Sequence, residues 1–173
     1  MSKVYIGLGS NKGDRIEFLN NAIIEIENED RFSILDISSF YETKPYGVAD
    51  QPNYINGVVL IETDFTPLEV YNKVKDIETI VGRTKSSRWG AREIDLDIIL
   101  YESIVYKDAL IEIPHNQYSK RDFVLVPLND IAFNLIDPVT EMSIKEMIEN
   151  LDEKFILKKI ENNLNEKVGD EIV

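Results

Sequence analysis

The sequence predicts an α+β fold built on a βαββαβ core, with an antiparallel sheet and additional helices toward the C-terminal end. Two observations carry this expectation. Strand-like and helix-like stretches follow one another in the order strand, helix, strand, strand, helix, strand, with clear capping signals on the helices. A chain of 173 residues, 43% hydrophobic, is also long enough for one domain with a substantial core and short for two.

Val4 to Leu8 reads as the first strand, followed by a turn-forming run from Gly9 to Gly13. A helix then opens at Asp14, with Glu17 three residues on and a buried stripe of Leu19, Ala22, Ile23 and Ile26. Phe32 to Glu42 reads as the second strand and Tyr54 to Thr63 as the third, with a Pro- and Gly-containing loop between them. Thr66 caps the second helix, Pro67 suits its first position, Glu69 completes a capping box and Gly82 ends it. Its apolar stripe is Leu68, Tyr71, Val74, Ile77 and Val81. The fourth strand carries Asp95 and Asp97. This order is the split βαβ arrangement of ferredoxin-like folds. Val124 to Ala132 and Ser143 to Leu151 read as shorter helices packed on the sheet, closing a single domain over residues 1–151. For 152–173 the expectation is a peripheral helix, striped by Phe155, Ile156, Ile160 and Leu164, or a mobile tail.

The formal net charge of -13 argues against nucleic acid as a partner, because the protein's own field would oppose a polyanion. Any polyanion must be met locally. With no cysteine, disulfides and thiolate metal sites are excluded, and oxygen ligands remain for a hard cation such as Mg²⁺. No segment suits a signal peptide or a membrane span, so a cytoplasmic location is the expectation.

The stretch from Arg83 to Leu100, RTKSSRWGAREIDLDIIL, joins a cationic segment to a strand with paired carboxylates. On a strand, residues two apart share a face, so Asp95 and Asp97 point together, with Cα atoms roughly 6.5–7 Å apart. Ile94, Leu96 and Ile98 point the other way. An Asp-x-Asp pair is ordinarily a solvated polar face, but here it is flanked by a run that looks buried. Half-buried carboxylates side by side call for cations, and a pair of Mg²⁺ ions about 3.5–4 Å apart fits such a pair. Arg83, Lys85, Arg88 and Arg92 stand just before it with no acid between Arg83 and Arg92, a local inversion of sign that suggests a basic loop closing over an anion.

Gly7, Gly9 and Gly13 miss the dinucleotide fingerprint by one residue, and Gly13 is followed by Asp14 where a P-loop needs Lys. Four ordered motifs, GLGSNKGD, YETKPYG with DQPNYIN, GRTKSSRWGAREIDLDI and IPHNQYSKRDFVLVPL, together resemble those of the 6-hydroxymethyl-7,8-dihydropterin pyrophosphokinase family. The resemblance runs from about Lys3 to Leu151. It implies a ferredoxin-like core and an ATP-dependent diphosphotransferase of folate biosynthesis. In that reaction the β,γ-pyrophosphoryl group of ATP moves to the pterin hydroxymethyl oxygen and AMP is released.

The resemblance also implies roles. Asp95 and Asp97 would hold two Mg²⁺ ions, while Arg83 and Arg92 would clamp phosphates and stabilise charge at the transferring group, making these four the catalytic set. Glu78, Lys85, Arg88, Arg92, Ile98, His115 and Arg121 would form the ATP site. Lys85 stands where relatives commonly carry arginine. Tyr54 and Phe123 would stack on the pterin, Thr43, Asn56 and the backbone near Tyr46 would read its edge, and Trp89 would close over it. The loops at Tyr46 to Pro52 and Lys85 to Ala91 would act as lids. The expected partners are the two small substrates, with no nucleic acid, no membrane and a monomeric chain. The carboxylate pair alone also suits a DxD glycosyltransferase or nucleotidyltransferase, or a binding module without chemistry; the nucleotide product discriminates them.

Overall fold

The computed structural model describes residues 1–161. Its first strand, β1 (Ser2–Ser10), runs on through Gly9 and Ser10, which local sequence reads as a turn. The extension comes from pairing: β1 lies antiparallel to β4 (Tyr54–Thr63), out to Ser10 opposite Ile55, and to β5 (Asp95–Tyr101) on its other side. The expected second strand is broken into β2 (Phe32–Ile37) and β3 (Phe40–Thr43). At the break, the Ser38 hydroxyl accepts the Val58 N–H at 2.8 Å, and β2 and β3 each pair with a different part of the long β4.

Helix α1 (Arg15–Glu27) is capped by Asp14, whose side chain accepts the Glu17 N–H. Helix α2 (Pro67–Val81) carries the full Thr66–Glu69 capping box and ends at Gly82 with φ of 115°, a left-handed conformation that glycine adopts without strain. Both pack on one face of the sheet, where Val4, Ile6 and Leu8 meet Leu19, Ile23, Ile26, Val70, Val74 and Ile77. Leu68, expected in the buried stripe of α2, is instead exposed. On the opposite face, Tyr5, Val58, Leu60 and Leu100 pack against α3 (Asp122–Ile131) and α4 (Ile144–Glu149).

A short hairpin of β6 (Tyr106–Lys107) and β7 (Glu112–Ile113) follows β5. The chain then re-enters the sheet. Ile156–Ile160 forms strand β8, antiparallel to β3 at the sheet edge, which corrects the expected helix over that stretch; the rest of the expected tail, 162–173, lies outside the described residues. The strand order β5-β1-β4-β3-β8, with β2 also on β4, is the ferredoxin-like order extended by one edge strand. No helix among the described residues is long and apolar enough to cross a membrane.

Candidate active site

Gly7 and Gly9 sit on the same face of β1 as Tyr5 and present no side chain to the space above them. Their register partners on β5 are Asp97 and Asp95, so both carboxylates rise beside a strip with no side chains. At Gly9 the need for glycine is steric, since a Cβ would lie 2.8 Å from the Asn56 side-chain oxygen. Asn56 is 9% exposed and donates to the Thr43 hydroxyl at 2.9 Å, so a buried amide is held at fixed orientation in the floor. Around this floor opens a cavity of about 290 Å³, walled by Tyr54, Phe123, Tyr46, Trp89, Arg88, Arg92 and Arg121. Flat aromatic walls over an amide and a hydroxyl suit a planar heterocycle with a polar edge.

The carboxylates are embedded in charge. Asp95 Oδ1 accepts Nη1 of Arg83 and Nη1 of Arg92, each at 3.1 Å. Arg83 also donates to Glu78, and Glu78 accepts the Leu96 N–H at 2.7 Å and the Lys75 ammonium at 2.9 Å. At 3% exposure, Glu78 is a buried strut joining α2 to β5. Lys75 donates to the Leu96 carbonyl at 2.8 Å and stands 3.8 Å from Asp97 Oδ1. Burial opposes the charged form of Lys75, yet Asp97, Glu78 and Asp95 outweigh it and raise its pKa. Burial and the Asp97 charge push the Asp95 carboxyl up, further than Arg92, Lys75 and Arg83 pull it down. Even with two guanidiniums in contact, this site still favours added positive charge.

A second groove of about 320 Å³ runs from Tyr71, Lys75 and Ile98 to the hairpin residues 107–112 and Asn116. It shares Asp97 and His115 with the aromatic cavity, so Asp97 lies where the two hollows meet, with Asp95 on the cavity side. His115 Nδ1 accepts the Gln117 N–H at 3.2 Å, and burial lowers the ring's pKa. The imidazole is therefore neutral with its proton on Nε2, available as a donor in the cleft.

Two loops cover the aromatic cavity. Asn11 joins them: its side-chain oxygen accepts the Arg92 N–H at 2.8 Å, while its nitrogen reaches Gln51 and the Pro52 carbonyl at 3.1 and 3.3 Å. The Gln51 amide also donates to the Trp89 carbonyl, so the loops touch. Trp89 itself is 61% exposed. At the base of the basic loop, Glu93 is buried and bonded to Lys12 at 2.8 Å and to the Thr84 hydroxyl at 2.6 Å. Burial alone would raise its pKa, but those bonds bring it down to about 2.

A family model for 7,8-dihydro-6-hydroxymethylpterin-pyrophosphokinase (HPPK) matches residues 5–133. The chain belongs to this family. It is 42% identical over 146 residues to the 2-amino-4-hydroxy-6-hydroxymethyldihydropteridine pyrophosphokinase of Aquifex aeolicus, covering 84% of this chain and 90% of that one. Against the enzyme of the same name from Haemophilus influenzae the identity is 38% over 156 residues, with 90% and 98% covered. The wild-type HPPK-DHPS of Plasmodium falciparum superposes with a TM-score of 0.69 at 14% identity, over 86% of this chain and 44% of that one. This chain spans less than half of that structure, and the likeness speaks to the fold.

As a pyrophosphokinase-family cleft, the site brings together most of the residues singled out from sequence. Thr43, Tyr46, Tyr54, Asn56, Trp89 and Phe123 all line the aromatic cavity, as do Arg88, Arg92, Asp95 and Asp97. Ile98 lines the groove and His115 lines both hollows. Lys85 lies exposed outside both. Arg121, expected at the nucleotide, lines the aromatic cavity together with Arg88 and Arg92, its guanidinium 4.8 Å from the Tyr46 ring centre and 5.7 Å from that of Phe123. Glu78 and Arg83 act from beneath the surface, lining neither hollow. Lys75 was missed, because a lysine on a helix reads as a solvated residue; its spacing of i,i+3 to Glu78 was the available signal.

Among the described residues, no cluster of three or more His, Cys, Asp or Glu side chains is arranged to hold a metal ion alone. Two neighbouring carboxylates fit Mg²⁺ nonetheless, since that ion is usually held by one or two carboxylates together with substrate phosphates and water.

Proposed function

We infer that this chain transfers the β,γ-pyrophosphoryl group of MgATP to 6-hydroxymethyl-7,8-dihydropterin, giving AMP and the pterin diphosphate in tetrahydrofolate biosynthesis. The observation that carries the reading is the position of the carboxylate pair, with Asp97 at the junction of an aromatic, amide-floored cavity and a second polar groove, and Asp95 beside it held by Arg83 and Arg92. The pterin lies between Tyr54 and Phe123, its edge read by Asn56, Thr43 and the backbone at Tyr46. The nucleotide occupies the groove along Ile98, with Lys75 and the Nε2–H of His115 donating to its phosphates. Arg121, at the cavity wall, completes the positive rim toward the transferring group.

The pterin hydroxymethyl oxygen bonds to the β-phosphorus as the bond from that phosphorus to the α,β-bridging oxygen breaks. The electron pair leaves on AMP, and the hydroxyl proton passes to water at the cleft mouth. Arg92, which lines the cavity, stabilises charge building on the transferring oxygens, a preorganised donor contributing on the order of 3 kcal/mol, while Arg83 supports Asp95 from behind. Asp95 and Asp97 would hold two Mg²⁺ ions, which would neutralise phosphate charge and lower the pKa of the attacking hydroxyl. Trp89, Arg88 and Lys85 ride on the loop that closes over the reacting groups and excludes water. We assign the chain to the cytoplasm as a monomer acting on these two small substrates.

Incubation with MgATP and the reduced hydroxymethylpterin tests the reading. AMP and the pterin diphosphate in equal amounts are expected. ADP with a pterin monophosphate, or free diphosphate with a nucleotidyl-pterin, would overturn it.

A further inference from the structure

Strand β8 lies beyond the residues matched by the family model, yet it grips the aromatic cavity at three places. Ile156 pairs with Thr43, the partner of Asn56 in the cavity floor. One residue earlier, the Phe155 carbonyl accepts the Lys44 N–H at 2.9 Å, at the root of the loop that carries Tyr46. The N–H groups of Phe155 and Ile156 both donate to Asp122 Oδ2, at 2.8 and 3.0 Å, at the start of the helix that carries Phe123.

The Phe155 side chain completes this arrangement. Its ring centre lies 5.3 Å from that of Tyr46 and 5.9 Å from that of Phe123, with interplanar angles of 60° and 90°. Tyr46 and Phe123 are themselves 6.1 Å apart and both line the cavity, whereas Phe155 does not. Phe155 is thus wedged behind two walls that come from different parts of the chain, on a backbone fixed by three hydrogen bonds.

We propose that Phe155 is a positioning residue for the heterocycle: by bracing Phe123, which faces Tyr54 across the pterin slot, against Tyr46, it sets the width of that slot, so a C-terminal segment outside the residues matched by the family model governs pterin affinity. This rests on the reading of the aromatic cavity as the pterin site. Losing two edge-on ring contacts behind the slot should raise the pterin Kd and KM about tenfold in Phe155→Ala. The nucleotide groove touches none of these residues, so kcat and the affinity for MgATP should stay within about twofold of the parent.

The test is calorimetric titration of the full chain with 6-hydroxymethyl-7,8-dihydropterin and, separately, with the Mg²⁺ complex of α,β-methylene-ATP, alongside steady-state kinetics. Phe155→Leu, which keeps most of the bulk, should recover pterin affinity to within about threefold of the parent. Leu157→Ala, an exposed change on the same strand, should leave both affinities unaltered. An unchanged pterin Kd and KM in Phe155→Ala would overturn the proposal. So would equal losses for pterin and nucleotide, or a pterin loss in Leu157→Ala matching that in Phe155→Ala, since each would indicate general loosening. A parent chain that takes up no pterin would reject the site reading itself, a result distinguishable from either.

Discussion

The aromatic cavity and the groove proposed for the nucleotide share Asp97 and His115, yet they are walled in opposite ways. Buried strand residues form the cavity floor, with Asn56 fixed by Thr43 and the aromatic wall braced from behind by Phe155. The groove has on its outer side the hairpin between Tyr106 and Ile113, whose residues from Tyr106 to Leu110 are all exposed. Its firmest polar feature is Lys75, reaching from α2 to the Leu96 carbonyl and toward Asp97. The difference fits the ligands proposed for each hollow: a rigid planar ring rewards a preformed slot, because little conformational freedom is lost on either side. A charged, flexible phosphate chain is instead held by point charges and donors that can adjust to it.

The strongest way to break this comparison is at the residue both hollows share. Asp97→Ala should lower kcat by about 10³-fold or more, measured as AMP release, while pterin binding persists. Loss of pterin binding in that variant would show that the two hollows are not separable. Next in size, Asn56→Ala removes a fixed donor–acceptor pair and leaves the Thr43 hydroxyl buried without its partner. It should weaken pterin binding by roughly 10- to 100-fold in titration, with nucleotide binding unchanged. Lys75→Met is the counterpart on the other side. It should weaken binding of a non-hydrolysable MgATP analogue by about tenfold and leave pterin binding alone.

The smallest effect concerns the root of the basic loop. Glu93, with a pKa of about 2 against an ordinary 4.5, binds fewer protons in the folded chain than in the unfolded one between those values. Its stabilising contribution is therefore full above about pH 4.5 and is lost as the pH falls through about 2. Denaturant unfolding of the parent and Glu93→Gln across that range should show their stability difference shrinking as the pH drops. A constant difference would mean that Glu93 does not anchor the loop by its charge.

What could be read from sequence was whatever local chemistry decides. Thr66, Pro67, Glu69 and Gly82 delimit α2 because capping is settled within one turn of chain, and β4 spans Tyr54–Thr63 as its composition indicates. The carboxylate face of β5 was legible because strand periodicity alone places Asp95 and Asp97 together. Features decided by distant partners were not. The break at Ser38 depends on Val58, and β8 depends on pairing with Phe40–Thr43, against a local apolar spacing that reads as helical. Glu78 was expected among the residues of the ATP site, whereas its place four residues after Val74 puts it on the buried stripe, beneath both hollows. Arg121 was assigned from its motif to the phosphates, and only the packing of Tyr46 and Phe123 around it shows which hollow it borders.

The central claim is that the Asp95–Asp97 pair joins nucleotide to pterin, and a crystal structure with α,β-methylene-ATP, Mg²⁺ and the reduced hydroxymethylpterin tests it most directly. The expected result has Mg²⁺ bound between both carboxylates and the β- and γ-phosphates, with the pterin between Tyr54 and Phe123 and its hydroxymethyl oxygen facing the β-phosphorus. A triphosphate seated elsewhere, with Asp95 still engaged only by Arg83 and Arg92, would contradict it.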